Sequence, residues 1–115
     1  MNVLLVSVSG GLGGAERALV ECVTALRRQH PGWRVQVLGL EVTAVPPVGD
    51  QSASYNVNVR APDEAQFIIR VDSDADITPG SFVLGNTYDV TGVVSPFGGA
   101  EQLYVRSDAD IVAVP

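Results

Sequence analysis

Asn86-Thr87-Tyr88-Asp89-Val90-Thr91-Gly92-Val93-Val94-Ser95, continuing through Pro96-Phe97-Gly98-Gly99 into Glu101-Gln102-Leu103-Tyr104-Val105-Arg106, is the stretch on which the fold class turns. Tyr88, Val90, Gly92 and Val94 fall on one side of an extended chain and their neighbours on the other, the period-two pattern of a strand with one wet face. Gly92 breaks the apolar side and marks a bulge or a sharp bend. Pro96-Phe97-Gly98-Gly99 makes a hairpin-like connection to a strand over 101–106, and Ile111–Val114 reads as a last short strand.

The same period extends towards the N-terminus. Tyr55, Val57 and Val59 alternate with Asn56, Asn58 and Arg60, and a second run over 66–72 puts Phe67, Ile69 and Val71 opposite Ile68 and Arg70. Turns at 61–64 and 78–80 separate these runs, so the pattern predicts a small sandwich or barrel. The stretch 86–111 resembles the closing half of an OB-fold module of the kind attached to secreted bacterial nucleases. Gly85, Val90-Thr91-Gly92-Val93, Gln102-Leu103, Arg106-Ser107 and Asp110-Ile111 carry the resemblance, which covers about 67–114 of a β-rich region at 54–115. A first OB strand is missing from it unless the N-terminal region or 53–60 supplies one. The resemblance implies a non-catalytic binding module, with single-stranded nucleic acid as a partner on Arg60, Arg70, Tyr104 and Arg106. Ten acidic residues in the same region oppose phosphate binding, and ordinary solvated strand positions are the alternative.

The opening of the chain reads differently. Residues 2–8 form an apolar run without alternation, as in a parallel strand buried on both faces. Gly10-Gly11-Leu12-Gly13-Gly14 follows, then Ala15, Ala18, Leu19, Cys22, Val23 and Leu26 at helical spacing, with Cys22 expected among the buried residues. Arg27 and Arg28 occupy the last turn, Pro31-Gly32 ends the helix, and 33–40 restarts a strand, giving one βαβ-like unit. The glycines either cradle a phosphate at the helix start or merely make a tight turn. A nucleoside-triphosphate loop is excluded because the chain contains no lysine, and the dinucleotide fingerprint has Glu16 where its third glycine belongs. Residues 1–41 resemble the N-terminal opening of GT-B glycosyltransferases through Gly13-Gly14-Ala15-Glu16-Arg17 and Trp33-Arg34-Val35-Gln36-Val37. That resemblance implies nucleotide-sugar phosphates near Gly11, Gly13, Gly14, Glu16 and Arg17. Nothing after Glu41 supplies the family's further βα units or its donor-binding domain, so no catalysis is expected.

The chain has 115 residues, 46% of them hydrophobic and 17% charged, which suits one compact core and excludes disorder. Its net charge of −6 is unevenly spread: 1–45 carries four arginines against three acids, whereas 46–115 carries three against ten. The change falls at Ala44-Val45-Pro46-Pro47-Val48-Gly49-Asp50. The expected organisation is therefore a βαβ fragment at 1–45, a linker at 46–53 and an OB-like β region at 54–115, merged into one domain or exchanged between copies. The fold class is α+β, one βαβ-like unit with a single main helix plus an antiparallel OB-like barrel or sheet. Two unrelated resemblances point to a recombined chain.

Other chemistry is sparse. Asp72, Asp74 and Asp76 have the alternate spacing of a calcium loop, but Ile77 and Val83 stand where an EF-hand needs glycine and glutamate, so a looser cation site or a solvated turn remains. Ser73-Asp74-Ala75-Asp76-Ile77 recurs as Ser107-Asp108-Ala109-Asp110-Ile111, too short for a repeat architecture. One cysteine and one histidine leave triads and zinc sites without their parts. No cofactor is expected. A lone βαβ unit leaves an edge uncovered, so self-association is expected; the absence of a charged leader or a long apolar run makes the cytoplasm the expected location.

Overall fold

The computed structural model describes residues 3–6, 18–62, 64–98 and 100–115; the glycine loop lies outside them. Among the described residues the order is β1 (Val3–Val6), α1 (Ala18–Gln29), β2 (Arg34–Ala44), β3 (Tyr55–Arg60), β4 (Gln66–Val71), β5 (Thr87–Phe97), β6 (Ala100–Tyr104) and β7 (Ile111–Val114). The fold is α+β, with an OB-like barrel closed in the order β2, β3, β4, β6, β5 and back to β2. All its pairings are antiparallel except β4 with β6, where Ile68, Ile69 and Arg70 meet Gln102, Leu103 and Tyr104 in parallel.

Two long strands organise the barrel. β2 and β5 run antiparallel along one edge, from Arg34 opposite Val93 to Glu41 opposite Thr87. The other edge of β2 is divided between β1, parallel at Arg34–Val37, and β3, antiparallel from Glu41 onward. The other edge of β5 is divided between β6 and β7. The first barrel strand therefore comes from the N-terminal region, and β2 belongs to both the βαβ unit and the barrel.

A bulge makes this double role possible. Between Val37 and Leu40 the pairing with β5 shifts by one residue, placing Leu38 and Gly39 opposite Asp89. Gly39 has φ +77°, and its N–H donates to the Asp89 carboxylate at 2.9 Å. The extra residue flips the alternation, so the inward side chains are Val35 and Val37 before it and Leu40 and Val42 after it. At Gly92 the pairing with β2 runs on without a shift, but a Cβ there would lie 2.5 Å from the Tyr104 carbonyl oxygen, so only glycine lets β5 pass so close to β6.

Inward side chains fill the barrel. Val57, Val59, Ile69, Val90 and Leu103 are fully buried with Val37, Leu40 and Val42. One end is closed by α1, whose Val23 is fully buried; Cys22, expected in the core, is exposed. Residues turn by about 100° each on a helix, so the face centred on Val23, Leu26 and Arg27 meets the barrel and Cys22 lies beyond its rim. The opposite end is closed by the 72–86 loop, where Phe82 packs edge-to-face on Tyr88 at 5.4 Å. This loop is held from two sides. Asp108 accepts the Thr78 N–H at 2.9 Å and the Thr78 and Ser81 hydroxyls, and Gln51 accepts the Gly80 N–H at 2.9 Å. Gln51 also donates to the Pro46 carbonyl, so 46–53 is packed against the loop and carries a 3-10 turn at Val48–Asp50. No helix of the described residues is long and apolar enough to cross a membrane.

Candidate functional site

Gly11, Gly13, Gly14, Glu16 and Arg17 lie outside the described residues. The four residues of the expected basic and aromatic face are all described; the barrel keeps Arg70, Tyr104 and Arg106 near one another and sets Arg60 apart. Arg70 and Tyr104 are direct neighbours across β4 and β6, and Arg106 follows two residues after Tyr104. Arg60 pairs with Gln66, four residues along β4 from Arg70, which puts it about 13 Å away along the strand.

Acids compensate most of these cations. Arg60 donates to Glu41 at 2.7 Å, with Glu64 at 3.6 Å. Arg70 donates to Asp72 at 3.1 Å and to the Asn56 side chain at 2.9 Å. Arg106 is exposed and has no side-chain partner among the described residues. Asp72 is thus engaged by Arg70, and the Asp76 backbone bridges to Ser107. Among the described residues no three of His, Cys, Asp or Glu come together as a metal-holding group, Asp72, Asp74 and Asp76 included.

The main depression lies at the helix-closed end. Pairing of β4 with β6 begins only at Ile68 and Gln102, so the two strands splay at Gln66-Phe67 and Ala100-Glu101. α1 forms the facing wall through Thr24, Arg27 and Arg28. The resulting groove of about 470 Å³ is floored by Phe67, Pro96 and Ala100. It shares Gln66, Phe67, Ala100 and Glu101 with a smaller depression that reaches Asn58 and Ile68 on the outer face of β3 and β4.

Glu101 is the fixed point of the groove. It has the strand parity of Leu103, so its side chain emerges from the barrel interior where the helix sits. Arg27 grips it in a fork, Nε to Oε1 at 2.7 Å and Nη2 to Oε2 at 2.9 Å, and the Thr24 hydroxyl donates to Oε2 at 3.0 Å. The Arg27 hydrogen bonds outweigh burial and, with Thr24 and the charges of Arg27 and Arg28, hold the carboxyl below the usual glutamate range. Arg28 is exposed and has no hydrogen-bond or ion-pair partner among the described residues.

Family models, curated proteins and solved structures were compared with the chain, and none matches. The groove must be judged on its own chemistry: amide groups from Gln66 and Asn58, guanidinium donors from Arg28 and an apolar floor. Sequence reading missed it because Thr24, Gln66 and Glu101 belong to three elements far apart in the chain, and no local spacing links them. Its one local trace is the Arg27-Arg28 pair, which reads as compensation of the helix dipole.

At the other end, burial first and the Asp108 charge second raise the Tyr55 phenol above its ordinary value, and its hydroxyl is buried without a hydrogen-bond partner among the described residues. Asp108 itself is held below the ordinary aspartate range, chiefly by the Thr78 hydroxyl and then by the Thr78 N–H. These groups fasten the 72–86 loop, and beside it Asp72, Asp74 and Asp76 line a second depression of about 350 Å³ together with Tyr104, Val105 and Arg106.

Proposed function

We propose that the chain is a non-catalytic binding module whose ligand surface is the groove between α1, β4 and β6, with the adjoining outer face of β3 and β4. The splayed start of the β4 and β6 pairing carries this reading. It leaves a concave, half-apolar site of ligand-binding size beside a rigid closed barrel. Nucleic acid is the less favoured ligand, because Glu41, Glu64 and Asp72 neutralise Arg60 and Arg70 in a chain of net charge −6. The test is a titration followed by backbone amide shifts, with a small-molecule mixture and, separately, a short single-stranded oligonucleotide. Shifts confined to Asn58, Gln66, Ile68 and Ala100 with the small molecules support the reading. Salt-sensitive shifts around Tyr104 and Arg106 with the oligonucleotide support a nucleic-acid module instead.

A second reading is a recombined N-terminal piece of a nucleotide-sugar glycosyltransferase with a phosphate-binding loop. The parallel pairing of β1 with β2, either side of α1, favours it. Saturable binding of a nucleoside diphosphate, lost on Gly13→Val, would establish it. Self-association has its support in β7, whose outward Val112 and Val114 are exposed on an uncharged edge strand. Sedimentation at micromolar concentration tests it.

A further inference from the structure

We infer that the groove takes a small organic monocarboxylate, its hydrocarbon part on Phe67, Pro96 and Ala100 and its carboxylate on Arg28. The inference rests on the proposed reading of the groove as the ligand surface. Its warrant is the bonding state of the three charged side chains that line the groove. Both oxygens of Glu101 are engaged, Oε1 by Arg27 and Oε2 by Arg27 and Thr24, so the carboxylate is poorly placed to receive a ligand ammonium. Arg27 spends its fork on Glu101, which leaves Arg28 as the unpaired charge among the described lining residues.

The groove therefore carries one net positive charge inside an otherwise acidic protein. One charge matches a monoanion. A polyanion would need more cations than the site holds, and on the neighbouring β3–β4 surface it would meet Glu41 and Glu64. A guanidinium meets a carboxylate through parallel N–H donors, the geometry of the strongest such contacts. The Gln66 and Asn58 amides can serve a neutral polar group elsewhere on the ligand. The negative end of the α1 dipole opposes the anion, and Arg27 and Arg28 in the last turn offset it.

The experiment uses the full chain and three probes of one shape: phenylpropanoate, phenylpropanamide and phenylpropylamine. Backbone amide shifts of Gln66, Ala100 and Glu101 are followed in each titration, for the native chain and for Arg28→Gln. The expected result is saturable binding of the acid, about tenfold tighter than the amide, with the amine weakest. In Arg28→Gln the acid falls to the affinity of the amide, while the denaturation midpoint shifts only slightly, because Arg28 is exposed and acts on the fold only through the α1 dipole and its charge near Glu101. Equal affinities for acid and amide, or an acid affinity untouched by Arg28→Gln, would overturn the carboxylate assignment and leave the groove as a ligand surface. Absence of groove shifts with all three probes would overturn the reading of the groove itself.

Discussion

Two glycines and one aspartate decide how the strands pass one another and how the barrel is fastened. Gly39 adopts φ +77°, a region costly for residues with a Cβ, and an added Cβ would stand 3.1 Å from the Pro62 ring. Gly39→Ala is expected to cost about 1–2 kcal/mol. At Gly92 the obstacle is backbone, the Tyr104 carbonyl at 2.5 Å, which cannot swing away. Gly92→Ala is expected to cost about 3 kcal/mol, more than Gly39→Ala in parallel urea denaturation. Asp110 is 5% exposed; it pairs with Arg34 and accepts the Arg106 N–H at 3.0 Å. Asp110→Ala removes the buried carboxylate that pairs with Arg34 and accepts the Arg106 and Ser107 N–H groups, so a loss of about 3 kcal/mol is expected in the same measurement. Gly92 was legible in the sequence as a special position because it interrupts a regular alternation, but the constraint it answers is the close passage of β6. The bulge at Gly39 was not, because inward residues that pass from 35 and 37 to 40 and 42 read as the end of a strand near Leu40 rather than as a shift within one.

Among the elements, α1 shows what periodicity can and cannot fix. Its existence and its Arg27-Arg28 end follow from spacing and from Pro31-Gly32. Which side of the apolar stripe meets the barrel does not, and Cys22 is exposed while Val23 is fully buried. Val23→Ala should therefore cost about 2 kcal/mol, and Cys22→Ala should stay within about 0.5 kcal/mol, both read by denaturation. The tie from α1 to β6 is pH-dependent. Glu101 titrates below its unfolded value, so its ion pair stabilises the fold in full above the ordinary glutamate range, and that stability is lost as pH falls through the depressed folded value. Stability followed by helix circular dichroism should drop below about pH 4 in the native chain. Glu101→Gln should be about 1–2 kcal/mol less stable at neutral pH and should lose less of its stability over the acidic range. An unchanged acid slope in this variant would show that other carboxylates dominate. β3 and β7 have the bounds read from sequence because each alternates cleanly or ends at a turn. β6 starts and ends earlier than expected, since its limits are set by pairing with β5 and not by its own residues.

For the whole molecule, closure of the barrel depends on contacts between residues remote in sequence. Following partners from Arg34 to Val93, Tyr104, Arg70 and Asn56 returns to β2 beyond Ala44, because Asn58 already pairs with Ala44. This stagger is inherent in a small closed barrel, and the same long-range pairing sets where β4 and β6 part and the groove opens. It is invisible to any local reading, which is why the OB-like fold class was legible and the groove was not. Closure requires that β2, from the N-terminal region, be a strand of the barrel and not only a partner of β1. Interstrand proton contacts in a uniformly labelled sample test it most directly. Contacts of β2 with both neighbours in one molecule are expected, Val42 to Val59 and Leu40 to Tyr88, together with Ile69 to Leu103 at the parallel seam. Contacts of β2 with β1 alone, and none from Leu40 or Val42 to β3 and β5, would contradict it.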